Sequence, residues 1–205
     1  MSALLARIEL AHFSIDVKLF EEIAPKTVDN FCFLAKEGFY NGLKFFKHIP
    51  NVLIQSGCPH NDGTGDAGYF IKNEISASSR YQGSSHYALR EEKPISLRHG
   101  ETPSEFDGYL SNRLHNKINK FVESAKQYFK LCNTPLVYHE LGSIGMANTI
   151  RDRVSSQFYL CVGNEIPECL DGNHTIFGKV LNRDLKYLPQ LKLGDTIRQI
   201  LIIQV

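Results

Sequence analysis

The stretch FFKHIPNVLIQSGCP, Phe45 to Pro59, concentrates side chains that could do chemistry. An aromatic pair, the cation Lys47 and His48 precede a short apolar run, and Gln55, Ser56 and Gly57 close it. A plain buried strand needs only Val52, Leu53 and Ile54. The polar residues at its edges therefore read as part of a site built on a strand. Just beyond, Cys58-Pro-His60 invites a metal reading, but two ligands in a loop without a second pair fall short of a metal centre, and no metal is expected. Cys169 has nothing nearby in sequence that would lower its pKa and make it reactive. The glycine-dense run GCPHNDGTGDAG at 57–68 is no phosphate loop: no Gly-Lys-Ser/Thr follows and no helix is signalled. It reads as a long exposed loop.

These residues need elements to position them. Phe13, Ile15, Val17 and Leu19 alternate with Ser14, Asp16 and Lys18, the pattern of a half-buried strand. The preceding ARIEL segment also alternates, so a hairpin across Ala11-His12 is expected. Pro25 suits a first helical turn. Val28, Phe31, Leu34 and Ala35 follow at helical spacing, and Gly38 ends the helix. Strand character returns at Phe45. Later, Ser143 to Ala147, Gln157 to Val162, His174 to Val180 and the final TIRQILIIQV read as strands, the first two joined by a polar loop. Arg183 to Leu191 reads as a second short helix cut by Pro189. Many short strands with two helices predict a barrel or sandwich whose open ends the helices cover.

Residues 76–138 differ in character. The segment is polar, broken by Gly and Pro, and carries nine Lys/Arg against six Asp/Glu. It ends in an apolar stripe over Ile118, Phe121, Val122, Ala125 and Phe129, which predicts an amphipathic helix. That helix either packs onto the barrel or binds a partner. Strand-like sequence resumes afterwards, so the segment reads as an insertion at about 76–138 in one domain spanning 1–205.

Composition bounds the rest. The chain has 205 residues, 42% hydrophobic and 22% charged, with a net charge of +1. That charge gives no case for attraction to nucleic acid or membrane, and no apolar run approaches the roughly 20 residues that span a bilayer. The opening MSALLARIEL is too short and too soon charged for a secretory signal. The expected setting is intracellular, cytoplasmic or nuclear. Five scattered cysteines without a CxxC read as reduced thiols that pack as small apolar groups.

Taken in order, APKTVDNFCFLAKEGFYNGLKFF, IQSG, MAN, SQFYL and LDGNHTIFGKV resemble the cyclophilins, the peptidyl-prolyl isomerase family. Five motifs in register carry the resemblance, over roughly residues 4–75 and 139–205. It implies a mainly β fold, an eight-stranded antiparallel barrel capped by two helices, here with an inserted, partly helical segment. It implies peptidyl-prolyl cis-trans isomerase activity on Xaa-Pro bonds of peptides and proteins, with no cofactor. Phe45, Gln55, Met146, Ala147, Asn148, Gln157, Phe158, Leu170 and His174 match the family pattern. Several positions depart from it. Lys47 stands for an arginine, Phe46 for a histidine, Val52 for a phenylalanine, Leu53 for a methionine, and Tyr159 for the usual pocket phenylalanine. Cys169 stands where a tryptophan often contacts cyclosporin.

The resemblance implies that Lys47 is the catalytic donor and that Gln55 grips the peptide with the backbone around Asn148. Leu53, Tyr159, Leu170 and His174 form the proline pocket, which Val52 leaves wider. Phe45, Met146, Ala147, Gln157 and Phe158 complete the substrate-binding set. Lysine keeps the charge of the family arginine but not its planar fork, so reduced turnover is expected. Read singly, Lys47 suits a solvated lysine, Gln55 a strand-edge amide, His174 a strand-end histidine, Asn148 a turn former, Met146 and Phe158 core residues rather than ligand contacts, and Tyr159 and Leu170 ordinary packing. The alternative function is a non-catalytic scaffold that binds proline-containing segments in a larger complex through the insertion, with the spliceosome as one setting.

Overall fold

A computed structural model describes residues 3–75, 137–150 and 153–205, with the backbone alone at Thr149 and Ile150. The inserted segment, including the apolar stripe from Ile118 to Phe129, lies outside the described residues.

The expected hairpin forms from β1 (Leu4–Glu9) and β2 (Ser14–Leu19), with Ile8 opposite Ile15. Helix α1 (Pro25–Lys36) follows, with Pro25 in its first turn. No side chain next to it in sequence caps it. The Glu74 carboxylate does so from 47 residues away, accepting the Thr27 N–H and hydroxyl, each at 2.8 Å. A carboxylate there also meets the positive end of the helix dipole. Gly38 ends the helix at φ +71, a conformation that costs an L side chain energy and glycine little. The rest of the sheet is β3 (Lys47–Ile49), β4 (Leu53–Ser56), β5 (Ile71–Lys72), β6 (Ser143–Ile150), β7 (Arg153–Cys161), β8 (Ile176–Val180) and β9 (Gln199–Gln204).

All the described strand pairs are antiparallel. Eight strands follow one path, β3-β4-β7-β6-β8-β2-β1-β9, and the two-residue β5 pairs with β7 beside it. The mainly β fold with helices at α1 and Asn182–Gln190 is therefore the one expected, and a further three-residue helical turn lies at Glu168–Leu170. Four details differ. The described strands number nine. Among the described residues the path does not close by pairing of its end strands: a single isolated bridge, Lys44 to Thr196, joins the segments leading into β3 and β9. Backbone bonds such as Phe45 N–H to Asp195 O and Ile197 N–H to Leu43 O, both 2.9 Å, support it. The polar loop expected between Ala147 and Gln157 is largely strand, because β6 and β7 extend towards each other through two bulges. The second helix, Asn182–Gln190, is a 3-10 helix; its interior Pro189 lacks the N–H that an α-helix would use.

One side of the sheet packs under α1. Phe31 is the hub: its ring lies 5.0 Å from Phe177, 5.2 Å from Tyr40 and 5.5 Å from Phe158, the last edge-on. All four rings are fully buried. The Tyr40 hydroxyl donates to the Ser156 carbonyl at 3.2 Å, so its polar tip is satisfied. At the sheet's other end Asp16 joins β2 to β1 and to the second helix. It accepts from Arg7 at 2.8 and 3.0 Å and from Arg183 at 2.6 Å. The Arg7 contact is the main reason its carboxyl sits below the usual carboxylate range.

Candidate functional site

Side chains alternate between the two faces of a strand. On β4, β6 and β7, Ile54, Ile144, Met146, Phe158 and Leu160 face the core. Leu53, Ala147, Tyr159 and Cys161 form a second apolar cluster, with Val52, Ile166 and Leu170 packed against it. Bulges on either side of Asn148 bend β6 at this place and re-aim its side chains.

The strand register then lines up three functional types. Lys47 lies opposite Gln55, Gln55 opposite Tyr159, and Tyr159 opposite Gly145. A cation, an amide and a ring thus share one row across the sheet. Lys47 is exposed, and no side chain pairs with it among the described residues. Its positive charge is felt by His174, whose pKa it helps to lower.

Gln55 is oriented by Gln157, which is 2% exposed. The Gln157 Nε2 donates to the carbonyls of Gly63 and Gly65, at 2.9 and 2.8 Å. Its Oε1 is therefore an acceptor, and Gln55 presents Nε2 to it at 2.8 Å. This fixes which end of the Gln55 amide faces inward and leaves its other N–H and its Oε1 for a ligand. It also corrects the expectation for 57–68: Gly57, Cys58 and Gly65 are buried, and the loop is folded around Gln157. Within it the Cys58 sulfur accepts the N–H groups of Gly63 and Gly65, both at 3.3 Å, while His60 Nδ1 meets the Thr64 hydroxyl at 3.1 Å.

His174 closes one side. Its ring meets Tyr159 edge-on, centroids 5.7 Å apart. Nδ1 donates to the Met146 carbonyl at 3.1 Å, which leaves Nε2 as an acceptor. Burial is the first cause that lowers its pKa; the Met146 bond opposes this and the Lys47 charge reinforces it. The imidazole is thus neutral near pH 7. The 3-10 helix Glu168–Leu170 supplies Leu170, half-buried, and Cys169, exposed. Asn148 donates from Nδ2 to the Asn173 carbonyl at 2.6 Å, while its Oδ1 is buried without a hydrogen-bond partner among the described residues.

The structure brings Lys47, Val52, Leu53, Gln55, Ala147, Gln157, Tyr159, Leu170 and His174 to one face, with Cys169 at its edge, whereas Asn148 pairs in register with Val154 of the core and is tied to Asn173. It does not bring the side chains of Phe45, Met146 and Phe158 there. All three are fully buried in the main core, Phe45 against Phe158 with centroids 6.5 Å apart. Met146 contributes backbone only, its N–H donating to Thr175 O and its carbonyl accepting from His174. Cys161, behind the cluster, is a buried thiol whose pKa burial raises to about 12; Cys32 in α1 rises to about 11 for the same reason.

Three residues that sequence reasoning passed over complete the site. Tyr159 Oη lies 2.7 Å from His139 Nε2, and His139 Nδ1 lies 2.6 Å from Asp171 Oδ1. Gly145 has no side chain to obstruct the ring: a Cβ there would lie 2.5 Å from Tyr159 Oη. The available signal was Tyr159 itself. A tyrosine in an apolar place brings a hydroxyl that needs a partner.

The family described as cyclophilin type peptidyl-prolyl cis-trans isomerase/CLD matches residues 5–202. A peptidyl-prolyl cis-trans isomerase of Helicobacter pylori (strain ATCC 700392 / 26695) is 34% identical over 188 residues, 91% of this chain and 79% of that protein. Peptidyl-prolyl cis-trans isomerase B of Bacillus subtilis (strain 168) is 30% identical over 186 residues, 91% and 88% of the two chains. Among solved structures, a Cryptosporidium parvum cyclophilin-type isomerase crystallised in the presence of the dipeptide Ala-Pro superposes with a TM-score of 0.60. It is 21% identical, and the match covers 97% of this chain and 98% of that one. At that identity the likeness speaks for the fold.

Proposed function

We propose, from the premise that this chain belongs to the cyclophilin-type peptidyl-prolyl cis-trans isomerase family, that its groove turns Xaa-Pro bonds of peptides and proteins slowly. The observation that carries this is the second apolar cluster. Leu53, Ala147, Tyr159 and Leu170 gather apart from the core, bordered by His174 and by the paired positions Lys47 and Gln55.

The chemistry needs no covalent step. Amide resonance opposes rotation with a barrier of roughly 18–20 kcal/mol. At the top of that barrier the proline nitrogen has regained its lone pair. A catalyst gains rate only from contacts that strengthen as the bond twists. The apolar cluster holds the proline ring. The Lys47 ammonium hydrogen-bonds the twisted nitrogen and the neighbouring carbonyl. Gln55, oriented by Gln157, and the backbone around Asn148 hold the flanking residues. The neutral His174 walls the socket without placing a second positive charge beside Lys47. A turnover near 10³ per second corresponds to a barrier of about 13 kcal/mol.

Lysine offers a strongly hydrated point charge where arginine offers a rigid planar fork. Turnover is therefore expected about 10–100-fold below that of the Lys47→Arg variant, within the range a single aimed donor controls. A proline-peptide isomerisation assay on the full chain tests the proposal. The expected result is acceleration over the uncatalysed rate, a further fall of about tenfold in Lys47→Ala, the remainder of the roughly 10²–10³ that one aimed donor is worth, and a rise in Lys47→Arg. No acceleration at high protein concentration would falsify it.

A further inference from the structure

We propose that His139 and Asp171 are positioning residues for the proline socket, holding the Tyr159 ring as its floor through the chain Asp171 Oδ1, His139 Nδ1, His139 Nε2, Tyr159 Oη. The inference rests on the reading of this groove as a proline site and names residues that act behind it.

The direction of each bond follows from the geometry. Asp171 Oδ1 accepts the backbone N–H of His139 at 2.9 Å and faces its Nδ1 at 2.6 Å. A carboxylate accepts, so Nδ1 carries the proton. Nε2 is then a lone pair, and the Tyr159 hydroxyl at 2.7 Å donates to it. The His139 side chain is 1% exposed and Tyr159 2% exposed, so water does not compete for these groups. Donors and acceptors are matched along the chain, as a buried polar network requires.

The chain also fixes a plane. The His139 and Tyr159 ring planes lie within 21° of each other with centroids 5.9 Å apart, and His174 meets Tyr159 edge-on at 84°. Gly145 lies opposite Tyr159 in the strand register and leaves the space that the ring fills. Asp171 directly follows Leu170 in the turn that closes Glu168–Leu170. One hydrogen-bonded chain thus joins the floor, Tyr159, to a wall, Leu170. A phenylalanine floor would be held by packing alone. Here the hydroxyl is an added constraint, and it works only while His139 accepts it.

The test compares His139→Leu, Tyr159→Phe and the double variant in the full chain. With Tyr159 present, His139→Leu strands a buried hydroxyl. KM for an Ala-Pro peptide is expected to rise about tenfold with a smaller change in kcat. In the double variant no hydroxyl is left to strand, and KM returns to the value of Tyr159→Phe alone. An equal rise in both backgrounds, or no rise in either, overturns the proposal. A second measurement needs neither folding of the leucine variant nor turnover. The nitrogen resonances of His139 are expected to show a protonated Nδ1, and Nε2 is expected to shift on Tyr159→Phe. An unmoved Nε2 overturns the clamp. If the protein shows neither turnover nor peptide binding while Nε2 moves, the isomerase reading falls and the clamp stands.

Discussion

The two faces of β6 and β7 both carry buried residues and are built by different means. On the core face Ile144, Met146, Phe158 and Leu160 meet Phe31, Tyr40 and Phe177, and hydrophobic size and ring geometry hold the contacts. On the other face polar groups are tied to distant residues beside the apolar contacts of Ala147 and Cys161: Gln157 donates to the Gly63 and Gly65 carbonyls, and Tyr159 donates to His139, which Asp171 holds in turn. Burial alone therefore does not separate core from groove. What separates them is how the polar groups are satisfied. The core face tolerates whatever fills its volume, whereas the groove face needs particular donors in particular places.

Substitutions can break this contrast. Phe158→Ala removes a fully buried ring from the aromatic hub and should cost about 3–5 kcal/mol in denaturant unfolding. A cost no larger than that of a groove substitution would mean the core is not where the stability lies. Gly145→Ala sets a methyl against the Tyr159 ring, and overpacking of this kind costs about 1–3 kcal/mol. KM should rise with it, since the floor must move; loss of stability with unchanged KM would separate Tyr159 from the socket.

The pH dependence is a milder probe. Burial is the chief cause that lowers the pKa values of both His139 and His174. Asp171 opposes the shift at His139, and His174 adds to it; Lys47 adds to the shift at His174. Between the ordinary histidine value of about 6.5 and these depressed values, the unfolded chain binds more protons than the native one. Stability should therefore fall as the pH drops below about 6.5. A Tm recorded from pH 7.5 downwards checks the sign, and a Tm that rises in that window would contradict it. The smallest effect is expected at the rim. Lys47→Ala should change stability by no more than about 0.5 kcal/mol, because its side chain is exposed and unpaired among the described residues. A larger loss would recast Lys47 as a structural residue.

Local signals were legible in sequence. Pro25 and Gly38 bound α1, the alternation before Phe20 marked the first hairpin, and Leu53, Gln55, Tyr159, Leu170 and His174 were expected together and lie together. Phe45, Met146 and Phe158 were assigned to the substrate-binding set, with the core as the other reading of Met146 and Phe158; both faces of the SQFYL and GMAN strands carry apolar residues. Hydropathy cannot tell the sides of such a strand apart, and register decides. The extension of β6 and β7 was hidden for a related reason. Polar residues there read as a loop, yet strand pairing satisfied their backbones.

The sequence by itself determined the order of the elements, the family resemblance and the kinds of groups available, because propensity, turn chemistry and motif spacing are written in neighbouring residues. The tertiary structure decided which of those groups meet. Glu74 reaches the start of α1, Gln157 turns the Gln55 amide, and Asp171 holds His139 against Tyr159. Each of these contacts spans from about 20 to about 100 positions, and a hydrogen bond between residues so far apart leaves no periodic trace in the chain that makes it.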